Sequence, residues 1–126
     1  MPYVDPTDQL VTEILVQSIG RATEFYRRLG FELLRDDGDF AELAWDHHRL
    51  FLAEPSAMHA DEPVAPPPFP HANVRVMVPN VDAYWTLVNE MGAHVVVPIG
   101  DRHYGLRDFT ISDPDGFGIR FASVLP

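Results

Sequence analysis

YGLRDFTISDPDGFGIRF, residues 104–121, is the stretch whose reading decides the fold. Its centre, Asp113-Pro114-Asp115-Gly116, puts proline at the second position, where its fixed φ suits a type I turn, and glycine at the fourth. Before the turn Tyr104, Leu106 and, after one shift of phase, Phe109 and Ile111 supply apolar positions. After it Phe117, Ile119 and Phe121 alternate with Gly118 and Arg120. That pattern predicts a β-hairpin with one buried face. The turn needs no chemistry to explain it, so the informative residue is the arginine at the far end, Arg120.

Upstream of the hairpin, residues 72–78 read as a strand and Asn80 as the cap of a helix reaching Met91. Val81, Tyr84, Trp85, Val88 and Met91 form its apolar face and Gly92 stops it. Residues 94–98 make another strand, and Gly100-Asp101 a turn. The same order stands earlier in the chain. Residues 10–17 alternate as a strand, and Ser18 caps a helix over residues 19–29 with Ile19, Ala22, Tyr26 and Leu29 on one face and Gly30 as the stop. Residues 31–35, 40–45 and 49–53 follow as short strands.

The two passages superpose at a constant offset of 62 residues: Val16 on Val78, Ser18 on Asn80, Leu29 on Met91, Gly30 on Gly92 and Gly38 on Gly100. The expected class is α+β, with tandem βαβββ modules over residues 9–54 and 71–124 of a single domain spanning residues 1–126. A single such module leaves one sheet face bare. A curved sheet around an enclosed cleft, helices outside, is therefore the expected architecture. Residues 55–70, with six of the twelve prolines, read as a linker. Residues 1–8 read as an arm, loose or exchanged with a neighbouring subunit.

The formal charge of −10 and pI near 4.8 argue against nucleic acid or an anionic membrane as partner, because both select basic patches. There is no cysteine for a disulfide, thiolate nucleophile or thiolate metal site. All nine basic residues are arginine, so lysine Schiff-base chemistry is excluded. No apolar run approaches the ~20 residues of a membrane span. The start, MPYVDPTDQL, lacks the basic and apolar regions of a signal peptide, which makes the cytoplasm the expected compartment.

The doubled βαβββ order, with VQSIGRATEFYRRLGF, HANVRVMVPNVDAYW and ISDPDGFGIRF, resembles the vicinal oxygen chelate superfamily of glyoxalases, bleomycin-resistance proteins and extradiol dioxygenases. The resemblance covers residues 11–122. It implies four metal-ligand positions, two in each half, that carry His or Glu in the enzymes. Here they fall at Val11, about Phe51, Asn73 and Arg120, none of which is His or carboxylate.

RLGFELLRDDGDFAEL, RLFLAE and HYGLRDFTISDPDG are similar to the metal-free bleomycin-resistance branch. That branch implies a non-catalytic homodimer, without cofactor, that sequesters a planar cationic drug. The resemblance carries its stacking aromatics onto Phe40 and Tyr104, with Trp45 as a further candidate. Asp37, Asp39, Glu42 and Asp101 flank these rings, and carboxylates beside aromatic faces suit a planar cation. Phe40 reads equally well as core, and the acids singly read better as turn residues.

Strand parity points Asn73, Arg75 and Met77 away from the helix side, together with Glu13, Gln17 and Arg120. An inward arginine needs a counter-charge, so Arg75 or Arg120 is expected to pair with Glu13 or, failing that, with a ligand anion. Two alternatives stay open. One is a metal-dependent lyase, isomerase or dioxygenase using His71, His103 and Glu13; the other is a metal-free enzyme whose Arg75 or Arg120 holds an anionic substrate. The tandem His47-His48 reads as a solvated turn.

Overall fold

The computed structural model describes residues 10–126, so the expected N-terminal arm lies outside the described residues. The chain divides into two compact units at the Glu62/Pro63 junction.

In the first unit β1 (Thr12–Leu15), α1 (Ile19–Leu29), β2 (Glu32–Asp36), β3 (Phe40–Trp45) and β4 (His48–Ala53) build a mixed sheet of order β1-β4-β3-β2. The β1/β4 pair is parallel and the others antiparallel. α1 starts where sequence dictates: Ser18 Oγ accepts the amide of Arg21 at 3.2 Å, and Gly30, at φ 115°, closes the last turn. Its apolar stripe, Ile19, Ala22, Tyr26 and Leu29, is buried with Ile14, Leu43, Leu50 and Leu52 of the sheet.

The second unit repeats the plan. β5 (Asn73–Met77), α2 (Val81–Met91), β6 (His94–Asp101), β7 (Leu106–Ser112) and β8 (Gly118–Val124) form a sheet of order β5-β8-β7-β6, with β5/β8 parallel. Tyr84 stacks on Phe121 at 4.8 Å and Trp85 meets Phe109 at 5.1 Å, which fixes Phe109, Ile111, Ile119 and Phe121 as the helix side of this sheet. The hairpin turn lies where the sequence puts it, with Asp113 Oδ1 accepting the amides of Asp115 and Phe117. These are the two tandem βαβββ modules expected of an α+β chain.

Two local expectations are corrected. Asn80 stands at the start of α2 but makes no side-chain cap; Ser123 Oγ accepts the Val81 amide instead, at 2.8 Å. Gly100 lies within β6, which runs on through Pro98 to Asp101, so the turn falls after it, where the Gly105 amide bonds the Arg102 carbonyl. Pro98 is tolerated because β6 is an edge strand with an irregular register. The proline-rich segment makes contacts within each unit. The Ala60 amide bonds Gln17 of the first unit, while Pro66 and Pro67 press on Gly116 of the second so closely that a Cβ there would come within 2.6 Å of Pro67.

Candidate functional site

Each sheet has one face covered by its own helix and one that its helix does not reach. In the first unit the helix-free face carries Phe40, Glu42 and Ala44 of β3 beside Ala53, Phe51 and Arg49 of β4, paired in register. Phe40 and Phe51 meet at 5.2 Å, and the Arg35 guanidinium lies 5.0 Å from the Phe40 ring centroid. Glu42 forms an ion pair with Arg49 at 3.3 Å, and Arg35 one with Asp37 at 3.3 Å. The backbone carbonyl of Asp39 accepts the Glu54 amide in the turn before β3. The aromatic ring and two of the acids expected to cradle a cation thus already engage arginines of this unit. Trp45 stands apart from them, on the helix side, with its ring 5.0 Å from Phe31 and against Gly30.

The second unit's helix-free face differs in character. Thr110 of β7, Arg120 of β8 and Arg75 of β5 lie in one register row, with Ser112, Gly118 and Asn73 in the next. Arg120 Nε donates to Thr110 Oγ1 at 2.9 Å. The Arg75 guanidinium sits 5.9 Å from the centroid of the Tyr104 ring, which is 45% exposed. Among the described residues neither Arg75 nor Arg120 has a carboxylate at ion-pair distance, so the expected pairing with Glu13 is absent. Asp101, the fourth acid of the expected cradle, is engaged elsewhere, by Arg107 at 3.0 Å.

Sequence reading missed the group that organises this face. Asp108 is 2% exposed, accepts Arg102 Nε at 2.8 Å and takes the Tyr104 hydroxyl on its other oxygen. Arg102 also reaches the Pro98 carbonyl at 2.5 Å, which anchors the turn that carries Tyr104. Burial works to raise the Asp108 carboxyl, but the hydrogen bonds from Arg102 and Tyr104 prevail and hold it below its ordinary value. The same bond raises the Tyr104 phenol, with burial adding to it. One signal was available: Asp108 precedes Phe109 and Ile111 with strand parity, and an acid inside a hairpin strand demands partners.

Topology and faces together agree with the motif resemblance, and a family model decides the matter: that of the Glyoxalase/Bleomycin resistance protein/Dioxygenase superfamily matches residues 8–121. The chain belongs to that superfamily. Among solved structures of the same fold, TioX from Micromonospora sp. ML1 aligns with TM-score 0.74 and 23% identity over 92% of this chain and 98% of its own. A protein of unknown function from Agrobacterium tumefaciens str. C58 gives 0.75 and 22% over 98% of both chains. The bleomycin resistance determinant encoded on transposon Tn5 gives 0.69 and 16% over 93% of this chain and 98% of its own. No curated protein matches the chain.

The donor set does not fit the divalent metal of the superfamily's enzymes. Of the positions the resemblance assigns to ligands, Phe51 is buried against Phe40, Arg120 offers only donors, and Val11 has no lone pair to give. Only the Asn73 amide oxygen could bind a cation. His103 instead packs edge-on to Tyr104 at 5.2 Å. Among the described residues no three His, Asp or Glu side chains converge in a metal-holding group. No described helix is long and apolar enough to cross a membrane.

Proposed function

We propose that the protein is a metal-free binding member of the superfamily, a cytoplasmic homodimer that sequesters a planar small molecule without transforming it. One observation carries the reading: the positions that the resemblance assigns to metal ligands hold Val11 and Phe51 in the first unit and Asn73 and Arg120 in the second, where Tyr104 offers a partly exposed ring to Arg75. Phe40, Tyr104, Asn73, Arg75 and Arg120 are the proposed contact residues. Asp39 and Glu42 form a polar rim to the first unit's face, and Trp45 supports that sheet from behind. The likeness to the transposon-borne bleomycin resistance determinant supports the same reading at the level of fold.

A panel of flat compounds, bleomycin among them, titrated by calorimetry into chelator-treated protein tests it. Calorimetry is the suitable readout because Trp45 and Trp85 both pack on the helix sides of their sheets. Saturable binding without added metal, with sedimentation showing a dimer, is expected. Failure of every compound at high micromolar concentration, or binding only after a divalent ion is restored, overturns the reading.

A further inference from the structure

We propose that the ligand held on the second unit's helix-free face is an aromatic acid, its carboxylate received by Arg75 and Arg120 and its ring flanked by Tyr104. The inference rests on the binding reading above and departs from the sequence-based expectation of a cationic ligand.

Arg75 and Arg120 are register partners on the parallel strands β5 and β8, so two guanidiniums stand side by side on one face. Like charges placed opposite one another destabilise a sheet unless something neutralises them. The chain's own acids do so only in part: the Asp108 carboxylate acts on Arg120 electrostatically but makes no ion-pair contact with it. Asp108, on the neighbouring strand β7, is bonded on one oxygen by Arg102 and on the other by Tyr104. Glu42, Asp37 and Asp101 each serve another arginine. In a chain of net charge −10, arginines left without a carboxylate partner on a shared row are out of keeping with their surroundings.

Their geometry suits a carboxylate. Arg120 is tethered to Thr110 through Nε, and its two terminal nitrogens are the donors that remain for an anion. Arg75 is steered by the Tyr104 ring, a contact that orients a cation without neutralising it. Tyr104 is itself pinned through its hydroxyl to buried Asp108, so ring and guanidinium are set before a ligand arrives. Ser112 adds an independent observation. It lies two places along β7 from Thr110 and hence on the same face, it is 4% exposed, and its hydroxyl has no hydrogen-bond partner. Its register partner is Gly118, which puts no side chain beside it. A buried hydroxyl of this kind is a donor for a second ligand oxygen.

The test uses the full-length protein and three isosteres titrated by calorimetry at low ionic strength: naphthoate, neutral naphthalene carboxamide and cationic naphthylmethylammonium. Naphthoate should bind about tenfold more tightly than the amide, with the ammonium weakest. Arg75→Gln and Arg120→Gln should each lower naphthoate affinity about tenfold and that of the amide much less, with thermal unfolding showing that the variants fold. Arg107→Gln, which alters the arginine held by Asp82 and Asp101 on the helix side, should change neither. If the amide or ammonium binds as tightly as naphthoate, or naphthoate affinity survives both substitutions, the acid-binding inference falls and the binding reading stands. If none of the three binds, the acid-binding inference falls, and the panel of flat compounds described above decides the binding reading separately.

Discussion

The two units share a blueprint and differ in what they write on it. Their strand orders correspond, both helices are 11 residues long, and Val16 and Val78 make equivalent bonds to Ala53 and Ala122 at 2.8 and 2.9 Å. With those pairs superposed, the register sets Phe51 opposite Arg120, Phe40 opposite Asp108 and Glu13 opposite Arg75. At two of these places the first unit's helix-free face has rings where the second has charges, and at the third the sign of the charge is reversed. The helix sides, by contrast, remain apolar in both units. A duplicated fold constrains the side of each sheet that must bury its helix and leaves the opposite side free to diverge.

The equivalence of Phe51 and Arg120 gives the largest expected contrast. Phe51→Ala should cost about 3 kcal/mol in denaturant unfolding, because a buried ring is lost from its contact with Phe40. Arg120→Ala should cost under about 1 kcal/mol, since it forfeits one side-chain hydrogen bond. Equal losses would mean that Arg120 is a structural residue and would break the contrast.

Asp108→Ala comes next, at about 2 kcal/mol, because Arg102 and the Tyr104 hydroxyl lose their acceptor. The sign with pH is fixed. A carboxyl held below its ordinary value of 3.8 contributes stability above that pH and loses it as pH falls through the lower folded value. Wild type and variant should therefore converge in acid, and a gap that stays constant down to the acid limit would refute the ionised assignment.

Capping sharpens the comparison at smaller scale. Glu54 accepts the first amide of α1, at Ile19, and Ser123 accepts that of α2, at Val81; each follows the alanine that pairs with its unit's first strand. Ser123→Ala should cost about 1 kcal/mol and Asn80→Ala close to nothing, read by thermal unfolding. The reverse order would restore Asn80 as the cap.

The smallest effect belongs to the first unit alone, where the cap is ionisable. Its Glu54 also bonds His59 at 3.0 Å, and His59 reaches Asp61 at 3.2 Å. The hydrogen bonds to Glu54 and Asp61 raise the His59 imidazole above its ordinary 6.5. Its contribution is thus present below that pH and disappears as pH rises through the raised folded value. His59→Gln should be measurably less stable than wild type at about pH 6 and indistinguishable by about pH 9. A difference that persists in alkali would point to packing rather than charge.

Much of this was legible from the chain alone. Period-two and period-3.6 apolar patterns, Ser18, the stop glycines Gly30 and Gly92, and the Asp113-Pro114-Asp115-Gly116 turn are local signals, each satisfied within a few residues, and the offset of 62 residues turned them into a doubled fold. Strand parity even set Arg75 and Arg120 on one face. Tertiary structure decided what parity cannot express, namely which polar groups meet. The caps from Glu54 and Ser123 cross 35 and 42 residues of chain, and the union of Asp108 with Arg102 and Tyr104 depends on how β6 and its turn fold back onto β7. A hydrogen bond is specified by distances of a few tenths of an ångström, which no residue order encodes until the strands have paired.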